Sequence, residues 1–467
     1  MRRYIFAKKT KNKIKKGKQS KNIKKKRNNP ISPFYQASSH SDKRLIWGVL
    51  SDILLAPPHI SDLTILPPLI SSNHTMKLVT AQKEILTIIQ EVESGESKED
   101  KIWIAVRDST DEDHSDYGDV KVEGSESGMQ LSCEGFTITR KGPQAFLIEP
   151  PGRLCTAPSQ SIDIRSVSAV ALTKSTKTLL VGTEQGSLKR FDTTTRKEVA
   201  KIENAHYSNV TLLRTFPSDK VLLSVGSDFQ IKIWDIELEE DKSARTFRHQ
   251  NKRITDVALI GGGRNFISTS EDGSAVLWEC GSGKVVSTFL RIGNHKDPAL
   301  CVVVCSTDSA LSASDILAGE SQYECEDKVM YVGYGSGIIQ EFRIASHSQT
   351  SVKFKRSKDS PVTALVSPDE HTLVAGYEDG TIVVWDRDAQ RAKHEVSFNP
   401  SFPISNMTIR ASNTLVFDNG PESLLTMDLN SLDVGQLIGF TEAFTVQSIA
   451  AVNKTIVVAT GDEIANY

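Results

Sequence analysis

No two cysteines in this chain are spaced Cys-x-x-Cys. The six present, Cys133, Cys155, Cys280, Cys301, Cys305 and Cys325, are scattered, and no His-x-x-x-His pair accompanies them. A structural zinc ion needs four ligands at close spacing, so that class of site is excluded. Six cysteines in 467 residues also make no disulfide scaffold, which fits a reducing compartment, cytoplasmic and nuclear. No apolar run approaches the roughly 20 residues that cross a bilayer. The most apolar early stretch, residues 45–70, contains Asp52 and Asp62 and is cut by Pro57, Pro58, Pro67 and Pro68. The basic residues that open the chain are followed by no apolar core of a secretory signal. Gly261-Gly262-Gly263 precedes no Gly-Lys-Ser/Thr and opens no helical pattern, so it reads as a turn between strands and not as a phosphate loop. Nucleophile-elbow and His-Glu-x-x-His motifs are missing. The chain is therefore expected to be non-catalytic and to hold no cofactor.

Charge is abundant but unevenly placed. The formal net charge is −2. Residues 1–75 hold 16 Lys/Arg against three acids, Asp42, Asp52 and Asp62, and residues 1–27 hold 14 with no acid. The rest holds 40 Lys/Arg against 55 Asp/Glu. A block of like charge repels itself and is expected to be disordered. Three readings of residues 1–75 stay open: a stretch upstream of a working start at Met76, a basic tail for nuclear targeting or nucleic-acid contact, and a transit sequence, which weak Ser/Arg amphipathicity disfavours. From Met76 a small acidic domain is expected over residues 76–135. Ile85, Ile88, Ile89 and Val92 fall at helical spacing, although a strand pair fits too. Residues 102–106 read as a buried strand, residues 108–119 as an acidic loop, and residues 136–139 and 145–148 as strands about the Gly142-Pro143 turn.

From residue 160 onward a pattern repeats: an apolar strand, a Gly/Asp turn, then a strand ending in an aromatic residue. The aromatic ends are Phe191, Trp234, Trp278, Phe342 and Trp385, spaced 43, 44, 64 and 43 apart. A WD blade of four strands takes about 40–45 residues. The longer interval is one blade with an insertion over residues 307–327. Two weaker repeats follow, residues 404–429, with Met427 in the aromatic position, and residues 445–467, which supply three strands. The fold class is all-β: a seven-bladed WD-repeat propeller over residues 136–467, with the small N-terminal domain before it. The last blade lacks its outer strand, and residues 136–148 are expected to donate it, which protects the sheet edges.

The third blade supports a closer resemblance. Gly262-Gly263-Arg264-Asn265, the Glu271-Asp272-Gly273 turn and Leu277-Trp278-Glu279-Cys280-Gly281-Ser282-Gly283 are similar to the proteasomal ATPase-associated factor family. Ala205-His206-Tyr207-Ser208, Phe216-Pro217-Ser218 and Asn294-His295-Lys296-Asp297 resemble it too. The resemblance covers residues 166–390 and fades on either side. It implies an assembly chaperone that binds the C-terminal domain of one regulatory-particle ATPase subunit and leaves before the proteasome matures.

The blade turns carry the candidate contacts. The Asp six residues before the aromatic is Asp228, Asp272 and Asp379 in blades 2, 3 and 5. Such an Asp bonds the turn backbone or a nearby His, so these three and His206 are read as structural. One residue earlier stand Glu184, Glu271 and Glu378, whose charge the turn does not require. Carboxylates on one face orient a basic partner. Tyr207, Tyr334 and Tyr377 are the candidate aromatic anchors beside them. The basic runs at residues 248–253 and 353–358 have no interleaved aromatic, so nucleic acid is not the expected partner. Neither membrane nor small-molecule binding is expected, and the protein is expected to be a monomer.

Overall fold

In the computed structural model the described residues are 76–110, 114–125, 128–307, 321–410, 413–440 and 444–467. The basic segment and its expected disorder lie outside them. The propeller has seven blades, over residues 167–202, 210–247, 254–290, 299–355, 362–397, 407–437 and 446–466. Each is an antiparallel sheet whose strands run outward from the central axis in chain order.

Burial explains why these sequences settle in these places. The second strand of each blade lies between two neighbouring blades and is buried almost throughout, as in Thr178–Thr183, buried at all but its first position. Outer strands meet water, and Glu198–Ile202 is buried only at Ile202. The aromatic that closes the third strand of blades 1–5 plugs the seam with the preceding blade: Trp234 packs with Leu180 and Leu188 of blade 1, and Trp278 with Val225 and Phe247 of blade 2. Fully burying such a ring contributes roughly 2–3 kcal/mol.

The blades are also stitched near the axis. In six of seven the first strand carries a register shift close to its start. Such a bulge re-aims the side chain beside it. Ser168, Thr255 and Thr363, each second in its strand, donate to a carbonyl at the start of the next blade: Val210 at 2.8 Å, Ala299 at 2.7 Å and Ile404 at 2.7 Å. The central channel, about 540 Å³, is lined by first strands from all blades.

The N-terminal module is a four-stranded sheet, β1 (Lys77–Ala81), β2 (Glu99–Asp108), β3 (Ser115–Ser125) and β4 (Gly128–Cys133), with helix α1 (Ile85–Ser94) on one face. The helical reading of Ile85, Ile88, Ile89 and Val92 is the one the fold adopts, and all four are buried. Gly95, at φ 80°, ends the helix in the left-handed conformation that glycine favours. Of the acidic stretch 108–119, Asp108 ends β2 and residues 115–119 open β3, while residues 111–113 lie outside the described residues.

Closure differs from the expectation. Residues 136–148 form β5 (Thr137–Arg140) and β6 (Ala145–Glu149), but these do not complete the seventh blade. With β7 (Arg153–Thr156) they extend blade 6, β7 lying parallel to its outer strand Val434–Leu437. The strand that closes blade 7 is β8 (Gln160–Asp163), antiparallel to Glu463–Asn466. The reason is apolar demand. Phe146, Ile148 and Cys155 are buried against α1, β2 and β3, so this hairpin is held in the module's core.

Candidate protein-binding face

The turns joining second and third strands share one face, here the top, with the loops that link successive blades. Blade 2 has the most complete network there. His206 Nδ1 lies 3.0 Å from Asp228 Oδ1, and its Nε2 lies 2.7 Å from Ser224 Oγ. Trp234 Nε1 donates to the same hydroxyl at 2.8 Å. The Tyr207 N–H donates to Asp228 Oδ2 at 3.1 Å. Burial pushes the Asp228 carboxyl up, but His206 and the turn amides outweigh it and hold it below its usual value.

Other blades reach the same end with different residues. In blade 3 Gln250 replaces the histidine: Ser268 Oγ donates to its Oε1 at 2.6 Å, and Trp278 Nε1 donates to Ser268 at 2.8 Å. Asp272 accepts from the Ser274 N–H at 3.0 Å. In blade 5 Asp379 meets Arg356 at 3.1 Å and Lys358 at 2.9 Å. Blade 4 reverses the arrangement, with Asp297 in the loop accepting from the Ser336 N–H at 3.0 Å.

Glu184 and Glu378 are exposed and Glu271 is half-buried. Their backbone N–H groups each donate to the preceding loop, at 3.0 Å to Ser166, Arg253 and Pro361. Ser227 and Gly335 do the same in blades 2 and 4. The position thus needs only a backbone amide, and among the described residues none of the three carboxylates has a partner.

The tyrosines divide. Tyr207 is 82% exposed, whereas Tyr334 and Tyr377 are fully buried. The expectation that these two anchor a partner is corrected, because each is the last residue of a second strand, packed between blades. An arginine also roofs each ring, Arg291 at 5.2 Å from Tyr334 and Arg356 at 4.6 Å from Tyr377. Phe229, 44% exposed beside Asp228, is an aromatic of this face that sequence reasoning missed. Its signal was an aromatic in the turn position that glycine fills elsewhere.

The two basic runs behave differently. Arg356 and Lys358 are neutralised by Asp379, and Lys355 by Asp359. Arg248, His249, Lys252 and Arg253 are exposed. Burial holds the Lys232 ammonium below its ordinary value, and nearby Arg248 lowers it further while Asp228 opposes.

The N-terminal module occupies the top of blades 6 and 7. Arg107 Nε donates to Glu422 at 2.8 Å and Lys83 Nζ lies 2.7 Å from Glu463, both at blade turns. Asn399 in the loop before blade 6 donates to the Ser109 carbonyl at 2.7 Å. Gln436 bonds both the N–H and the carbonyl of Val79, at 2.9 and 2.8 Å. Among the described residues, the open part of the face therefore belongs to blades 1–5.

Reactive groups are muted. Burial is the first cause raising all six thiols, with Cys155 and Cys280 pushed up to about 12, which keeps them protonated. Among the described residues no cluster of His, Cys, Asp and Glu could hold a metal ion, and no helix is long and apolar enough to cross a membrane.

The WD domain, G-beta repeat family matches residues 197–235, 241–279 and 349–386. Over 258 residues the chain is 28% identical to the 26S proteasome regulatory subunit RPN14 of Saccharomyces cerevisiae, covering 54% of this chain and 60% of that protein. It is 26% identical over 248 residues to Protein ROOT INITIATION DEFECTIVE 3 of Arabidopsis thaliana, covering 50% and 51%. It is 27% identical over 190 residues to human Pre-mRNA-processing factor 17, covering 38% and 33%. The chain thus spans less than two thirds of each of these relatives. The chain folds as a β-propeller, matches the WD-repeat family model in three stretches, and is similar over about half its length to a proteasome regulatory subunit.

Proposed function

We propose that this protein is a non-catalytic assembly chaperone for the proteasome regulatory particle. It binds the C-terminal domain of one ATPase subunit and leaves before the mature particle forms. The observation that carries this reading is the 28% identity to RPN14 over 258 residues. The open top of blades 1–5 supports it, because Glu184 and Glu378 present carboxylates that the fold does not use. Opposite charges across an interface steer encounter and fix register. The protein acts as a monomer in cytoplasm and nucleus, without cofactor.

Affinity capture tests the proposal. The full chain is immobilised and offered the isolated C-terminal domain of each regulatory-particle ATPase in turn. Retention of one domain is expected, and retention of none contradicts the proposal. A second reading, a scaffold in RNA processing, is favoured by the likeness to Pre-mRNA-processing factor 17. A chain beginning at Met76 separates the two: loss of all function with loss of RNA binding would favour the scaffold.

A further inference from the structure

Blade 2 keeps a bulky aromatic where blades 1, 3, 4 and 5 keep glycine. Gly186, Gly273, Gly337 and Gly380 have φ of 83°, 91°, 78° and 69°. A Cβ added at any of them would come within 2.2–2.6 Å of a carbonyl oxygen in the following loop. Phe229 takes the same left-handed conformation, at φ 60°, and carries a full side chain. A bulky residue there is strained, and its ring gains only partial burial in return, being 44% exposed. The loop after blade 2 must stand back to admit it.

Two further observations point to a ligand. Tyr207, 82% exposed, flanks Asp228 from the other side and has Lys232 Nζ 5.7 Å from its ring centroid. The loop after blade 2 presents Arg248, Lys252 and Arg253, none in an ion pair among the described residues. Arg248 is aimed at this spot, donating to the side chain of Gln230, the residue after Phe229, at 2.8 Å. Two exposed aromatics beside uncompensated cations match a ligand that is apolar at one point and anionic around it. Uniform phosphate would meet the carboxylates of Glu184, Glu203 and Glu271 in the adjoining turns and loop. A peptide can space its charges to avoid them.

We propose that Tyr207, Phe229 and the basic loop 248–253 form a docking site for a short acidic protein segment carrying one large apolar side chain. This is independent of the ATPase reading, which invokes basic groups opposite the glutamates.

The test uses phage-displayed random dodecamers selected on the full chain, then titration of the enriched peptides with a fluorescent label. Enriched peptides should carry Leu, Phe or Trp flanked by Asp or Glu. Their affinity should fall at least ~10-fold on Phe229→Gly and on the combined Arg248→Glu, Lys252→Glu, Arg253→Glu change. Phe229→Gly should unfold at no lower temperature than the parent, since glycine relieves the strain. Should it fail to fold, Tyr207→Ser at an exposed position asks the same question. Failure to enrich peptides, enrichment without acidic residues, or equal binding by the variants overturns the proposal. So does an oligothymidylate that displaces the peptides and itself loses binding on Phe229→Gly, which would assign the site to nucleic acid. No ATPase enters the assay, so its outcome is separate from that of the chaperone reading.

Discussion

Asp228 and Asp272 hold the same place in the repeat but different electrostatic surroundings. Asp228 lies 3.0 Å from His206, whose side chain is fully buried. Removing the imidazole takes a partner from the buried Asp228 carboxylate, which keeps the Tyr207 and Gln230 N–H groups, and from the Ser224 hydroxyl, which keeps Trp234 Nε1. His206→Ala should therefore cost about 2–4 kcal/mol, seen as a lower urea midpoint. Asp272→Ala, whose partners are the Asn251 and Ser274 N–H groups and the Ser274 hydroxyl, should cost nearer ~1 kcal/mol. Asp418 of blade 6 gives a pH signature. Burial raises its carboxyl from 3.8 to about 7, against the opposing bonds of Asn406. Below pH 3.8 the folded and unfolded chains both keep this proton, so the group adds no slope. As pH rises from there toward about 7, the unfolded chain releases a proton that the folded chain retains, and stability falls. Asp418→Asn should flatten that decline in melting temperature between pH 5 and 7, and an unchanged slope would refute the assignment. At this scale the sequence told half the story. The turn position of each Asp and Glu was legible from spacing alone. The burial of Tyr334 and Tyr377 was not, because a strand's last residue and a turn's first look alike in one dimension.

The seven blades were readable as elements. Apolar runs at a regular interval carry that information. The spacing of residues 85–92, by contrast, fitted a helix and a strand pair alike, and residues 308–320 of the expected insertion lie outside the described residues. The closing strand was not readable. β8 is four residues, Gln-Ser-Ile-Asp, with none of them buried, so it has no hydrophobic pattern to find. The hairpin β5–β6 had such a pattern, but for a different core. The parallel pairing of β7 with blade 6 joins residues about 280 positions apart, and no local rule anticipates it. A chain lacking Gln160–Asp163 should leave blade 7 as a three-stranded sheet with an open edge. Limited proteolysis should then cut first within residues 446–467, whereas the intact chain resists there. Equal resistance would mean that closure does not depend on β8.

At the scale of the whole molecule, the top face is partitioned. The N-terminal module covers blades 6 and 7, held by Lys83, Arg107 and Gln436. Among the described residues, cations without ion-pair partners gather after blade 2, and unpartnered carboxylates stand on blades 1, 3 and 5. The fold was thus legible from the repeat, while the partition of the top face was not, since it depends on where a separate module docks. The central claim is that the open carboxylates receive an ATPase C-terminal domain. Calorimetric titration of the full chain with each isolated domain tests this most directly. One domain should bind, and Glu184→Lys, Glu271→Lys and Glu378→Lys together should weaken it at least ~100-fold, with steep salt dependence in the parent. Binding untouched by the triple change would move the site elsewhere on the propeller, and heat from none of the domains would contradict the account.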